Sequence, residues 1–128
     1  PEMTTACTRR NRSNIAVQSL ALLNDPVFVE SAQALARRIV ESVPTPRQRI
    51  ETLFQITLNR QPMEQEVSVL EGLLKHQTEL FSEDTALAQR AIGKYPVATP
   101  NLITHSEHAA WVAVCRTIMN LDEFIMRE

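Results

Sequence analysis

Two places in this chain set a capping side chain directly before a proline, each where an apolar pattern of helical period begins. They are Asp25-Pro26 and Thr45-Pro46. In each pair the first side chain can accept hydrogen bonds from the open amides of the coming helix. Proline then takes the one position where a missing N–H costs nothing. The first pair is the more restrictive, because Asn24 precedes it. Asn tolerates positive φ better than any residue but Gly, so a helix can end on Asn24 with no loop before the next one. Leu22-Leu-Asn-Asp-Pro-Val-Phe28 therefore encodes a helix end, a hinge and a helix start.

Composition narrows the fold class further. Only two glycines, Gly72 and Gly93, occur in 128 residues. A sheet protein of this length needs more turn glycines, so the expectation is all-α. The hydrophobic fraction of 44% is enough for one core, and the length suits one domain. The formal charge is -2 with a pI near 6.0, which argues against a nucleic-acid partner that needs a positive surplus. The longest apolar run, 109–115, is far short of the ~20 residues a membrane helix requires. The opening Pro1-Glu2 lacks both an initiator methionine and a signal-like segment, and points to a fragment of a longer protein.

Along the chain, 1–14 reads as an N-terminal arm and 15–128 as a helical bundle domain. The arm carries Arg9, Arg10 and Arg12. With a net negative chain these suit carboxylate partners, here or in a preceding region, better than nucleic acid. A helix over 15–23, capped by Ser13 or Asn14, presents Ala16, Leu20 and Leu23. The next, over 26–41, presents Phe28, Ala32, Leu35 and Ile39 and turns Glu30, Gln33, Arg37 and Arg38 outward. A third begins at Pro46, buries Ile50, Leu53, Phe54 and Leu58, and stops at Asn59-Arg60 before Pro62. A long helix over 63–81 carries Met63, Val67, Leu70, Leu74, Gln77 and Phe81 on one stripe. Ser82 is expected to cap a short helix over 83–92, ended by Gly93 as a left-handed cap. After the loop 94–104, a helix from His105 or Ser106 is apolar all round over 109–115, and Trp111 should be buried within it. A second corner, Asn120-Leu-Asp-Glu-Phe124, follows. The fold expected is a single-domain bundle of about five to six helices joined at short capped corners.

Candidate chemistry is sparse. Neither Cys7 nor Cys115 begins a Cys-x-x-Cys-His, so no haem attaches to this chain. The two thiols pair only if the fold brings them together, and two separate thiols is the simpler reading. His105 and His108 share a helix face at i, i+3 and are weak metal candidates. A pair lacks the third and fourth ligands of a zinc site, so two solvated histidines at a helix start is the expectation. Asp122 and Glu123 are adjacent and diverge, which suits capping better than joint catalysis. If the two Asn corners, at Asn24 and Asn120, meet in space, Asp25, Asp122 and Glu123 need cationic partners, with Arg9, Arg10, Arg12 and Arg60 available. Arg60 is most simply a bridge to Glu66. No catalytic or cofactor-binding residue is assigned.

Several segments are similar to one family. Cys7-x-Arg-Arg-x-x-Ser-Asn14, then Gln18-x-Leu-x-Leu-Leu-Asn-Asp-Pro-x-Phe-Val-Glu30, resembles the C-terminal part of the planctomycete-type domain of unknown function 1553. Phe54-x-x-x-Leu-Asn-Arg-x-Pro62-x-x-x-Glu66 and Ala110-Trp111 with Asn120-Leu-Asp-Glu-Phe124 agree with it. Two departures are visible. Ile15-Ala16 stands where the family usually has Thr-Pro, and Asn59 stands where it has Gly. The resemblance implies the C-terminal helical domain of a large protein that is periplasmic, cell-surface or secreted, often with a cytochrome c domain upstream, where any haem would lie. On that reading the chain is a structural or interaction domain without an activity of its own. Its partners are then upstream domains of the same polypeptide or another protein. The alternative is that it lends residues to a shared, polysaccharide-related or redox-linked active site.

Overall fold

A computed structural model of the chain describes residues 25–98 and 102–121. They form five helices and no strand: α1 (Pro26–Ser42), α2 (Pro46–Leu58), α3 (Glu64–Ser82), α4 (Thr85–Ile92) and α5 (His105–Met119). The all-α reading holds. The expected helix over 15–23, the N-terminal arm and the corner beyond Leu121 lie outside the described residues.

Each start follows from its cap. The Asp25 carboxylate accepts from the amides of Val27 at 2.8 Å and Phe28 at 3.3 Å, and Pro26 opens α1. The Thr45 hydroxyl accepts from the Gln48 amide, and Pro46 opens α2. α2 ends at Asn59, whose φ of 58° and ψ of 40° place it in the left-handed region. Asn there stabilises the same turn that Gly would, at a small steric cost.

α5 is the central rod, with α1, α3 and α4 packed around it and α2 closing against α1, α3 and α5. This explains its all-round apolar sequence: Ala109, Ala110, Trp111, Val112, Val114, Cys115 and Ile118 are all buried. The main core joins them to Ala32, Ala36, Ile39 and Val40 of α1, Ile50, Leu53 and Phe54 of α2, and Val67 and Leu70 of α3. A satellite cluster of Ala88, Ile92 and Ala109, flanked by Phe81, seats α4 on the first turns of α5. Small residues on both sides let these two helices approach closely.

Three side chains depart from the expected pattern. Gln33 does not turn outward but is buried, its amide donating to the Ala91 carbonyl at 3.0 Å. Docking of α4 covers that part of α1, which no periodicity within α1 reveals. Ser82 does not cap α4. It ends α3, donating to the Glu79 carbonyl, while Asp84 caps α4 by accepting from the Leu87 amide at 3.1 Å. Met63 precedes α3 and is exposed rather than part of its buried stripe. Gly93 has the expected positive φ of 68°, but its ψ of -138° puts it in a region open only to glycine, beyond the left-handed helical well.

Candidate functional site

The most developed polar cluster joins the end of α2 to the start of α3. Asn59 turns the chain, and Arg60 then reaches forward to Glu66 in the first turn of α3. Its two terminal nitrogens donate to the two carboxylate oxygens at 2.9 Å each. Glu66 is 1% exposed, and the same Oε1 also accepts from the Met63 amide at 2.8 Å. One Arg60 nitrogen donates in addition to the Gln61 carbonyl, and the guanidinium carbon lies 5.1 Å from the centroid of the Phe54 ring. A buried carboxylate is tolerated only when paired and hydrogen-bonded, and here both conditions are met. The carboxylate at the helix N-terminus also suits the positive end of the α3 dipole. The cluster is a brace between two helices, and its two charges are directed at each other.

Two of the remaining candidates lie among the described residues. Asp25 is engaged in capping α1. Asn120 caps the end of α5 and is buried, with Leu121 buried beside it. Arg9, Arg10, Asn24, Asp122 and Glu123 lie outside the described residues. Cys7 does too, while Cys115 is a free thiol in the core, where burial pushes its ionisation well above the ordinary thiol range.

Sequence reasoning missed Arg49. It sits on the buried face of α2 and is 8% exposed. Its Nε donates to the Val43 carbonyl at 2.6 Å and its Nη2 to the Val40 carbonyl at 3.4 Å, closing the C-terminal end of α1. The guanidinium carbon lies 5.6 Å from the Trp111 ring centroid, so one side chain ties α1, α2 and α5 together. Burial holds its pKa below the ordinary arginine value. Its neighbour in sequence is the core residue Ile50, and an Arg beside an apolar stripe reads from sequence as a boundary position.

The two histidines separate sharply. His105 is exposed, but His108 is 1% exposed, so the expectation of two solvated side chains is corrected for His108. Its Nε2 has no hydrogen-bond partner among the described residues. Burial first, then the fields of His105 and Arg37, lower its pKa to about 4 against an opposing pull from Glu41. Docking of α4 and the segment after Gly93 covers that face of α5. Both histidines line a half-open groove of about 810 Å³. Ile92, Pro96, Val97 and Ile103 line it as well, and Gln89 and Thr104 add polar groups. Among the described residues no three His, Cys, Asp or Glu side chains gather as metal ligands, and no helix is long and apolar enough to cross a membrane.

No curated protein and no solved structure matches the chain. One family model does match, described as PSD1: Protein of unknown function (DUF1553), over residues 1–74. That span includes the Asn24-Asp25-Pro26 corner and the Arg60–Glu66 brace, and stops before the Asn120 corner. It covers more than half of the 128 residues, and the chain belongs to this family.

Proposed function

We propose that this is a structural and interaction domain without an activity of its own, docking through α3 onto a preceding domain of a large exported polypeptide. One observation carries the reading. Val69 and Leu80 fall at i and i+11 on one face of α3 and are 52% and 46% exposed, while Leu73 between them is half-buried and packs against the core. Gly72 lies on the same face, and a methyl group added there would meet nothing within 4 Å. A helix that buries one stripe in its own core and keeps two large apolar side chains open on another face offers a second packing surface. The rest of the domain supports a scaffold role, since its strongest polar contacts brace helix ends. The alternative, a shared active site, draws on Arg9, Asp122 and Glu123, which lie outside the described residues.

The paired change Val69→Glu and Leu80→Glu tests the reading in the intact polypeptide. The unfolding free energy of the domain should stay within about 0.5 kcal/mol, as surface changes do. Limited proteolysis should meanwhile show that the domain no longer protects its junction with the preceding region. Unchanged protection would remove the α3 face from the interaction.

A further inference from the structure

α4 and the segment that follows it are fastened to the bundle more lightly than the other helices. We propose that residues 83–98 form an acid-released flap. Protonation of His108 lifts this flap from α5, while α1, α2, α3 and α5 stay packed.

The attachment is small and largely at the surface. Its apolar seat is the satellite cluster, with Ala88 and Ile92 against Ala109 and with Phe81 and Ala91 partly buried beside them. Val97 is the residue of the flap that packs against the main core. The polar ties are the Gln33 amide on the Ala91 carbonyl at 3.0 Å, Lys94 on Glu30 at 2.8 Å, and the Ala98 amide on the Glu41 carboxylate at 2.8 Å. The Lys94–Glu30 pair is exposed, where such contacts contribute little. A segment with so few buried apolar contacts opens at a lower free energy than the core beside it.

His108 is buried at this junction. Gln89, Ile92, Gly93, Pro96 and Val97 of the flap line one groove with it, and none of the five titrates. Of the flap's own charges, Lys94 is turned to Glu30 and Arg90 is exposed. Arg37 of α1 and His105 of α5 act against a charged imidazole, and Glu41 of α1 acts for it. The Glu41 carboxylate is already held by the Ala98 amide and by Arg37 at 3.5 Å. A buried cation without a bonded counter-charge must reach water. Parting α5 from α1 or α3 would expose Trp111, Ile39 and Leu70, so the flap is the cover that gives way. Uncovered, the imidazole takes up a proton near its ordinary 6.5; covered, it does so near 4. Acid therefore favours the open form between those limits.

The test compares amide-exchange protection in the 128-residue chain at about pH 7.5 and about pH 5, where ordinary carboxylates stay largely ionised. At both values the α4 amides should be roughly tenfold or more less protected than those of Val112 and Val114, since the flap opens without the core. On going from the higher pH to the lower, α4 protection should fall roughly twentyfold, the change expected for a proton taken up chiefly in the open form. His108→Leu and His108→Gln should each abolish that fall, and His105→Gln should retain most of it. Equal protection of α4 and the core at the higher pH would overturn the proposal, because the release would then be global. So would α4 protection that does not change with pH, or an undiminished fall in the two His108 variants.

Discussion

Arg60 and Glu66 face each other across a five-residue connection with two parallel hydrogen bonds of 2.9 Å, the carboxylate buried and the guanidinium lying over Phe54. The pair sets how α3 leaves α2. Its hydrogen bonds follow from the turn at Asn59 and from Pro62, which keeps the residue before it extended.

Removing Arg60 leaves a buried carboxylate without its cation, so Arg60→Ala should cost about 3 kcal/mol in urea unfolding. Glu66→Ala leaves a partly exposed guanidinium still bonded to the Gln61 carbonyl, and should cost less. The double variant should cost at least ~1 kcal/mol less than the sum of the two, because the pair acts as a unit. Arg60→Lys should recover little of the loss, since an ammonium cannot match both carboxylate oxygens. Simple additivity in the cycle would refute the brace.

His108 sets an acid limit on stability. Its folded pKa, about 4, lies below the ordinary value of 6.5, so the unfolded chain binds the proton more readily. Stability is therefore fully present above about pH 6.5 and falls as pH drops toward 4, by on the order of 2 kcal/mol. The groups acting on this titration are His105, Arg37 and Glu41. His108→Leu should remove that part of the pH dependence. It should also hold or raise stability at pH 7, because an unpartnered buried group is replaced by an aliphatic one. Thermal melts between pH 4 and 8 decide it, and an unchanged slope in the variant would contradict the assignment.

The two glycines should respond in opposite directions to alanine. Gly72 sits mid-helix in open space, so Gly72→Ala should stabilise by about 1 kcal/mol. Gly93 has a backbone forbidden to side chains, and an added Cβ would come within 2.6 Å of the Gln33 amide. Gly93→Ala should cost at least ~2 kcal/mol and loosen α4 from α1, visible as faster amide exchange across α4. Equal effects of the two changes would contradict the geometry.

Arg49→Ala strips the Val40 and Val43 carbonyls of their donor and uncovers Trp111. About 2 kcal/mol should be lost. Trp111 is the single tryptophan, so its emission should shift to the red in the folded variant. Unchanged emission would mean that the guanidinium does not shield the ring.

Much of this architecture was legible in short stretches of sequence, because the physics there is local. Asp25-Pro26 and Thr45-Pro46 specify helix starts through hydrogen bonds spanning three residues. Asn59 specifies a stop through its own φ, and the apolar run over 109–115 specifies an enclosed helix. The Arg60–Glu66 pair was legible for the same reason, with its partners six residues apart. The position of α4 was not. Its docking buries Gln33 from 58 residues away, helps cover His108, and sets the Gln33 amide against residue 93, whose positive φ calls for glycine. Arg49 likewise looks like a surface cation until the end of α1 and Trp111 close over it. Capping and periodicity are properties of a few neighbouring residues and can be read from them. Which polar side chain is buried, and beside what, is decided when distant helices pack.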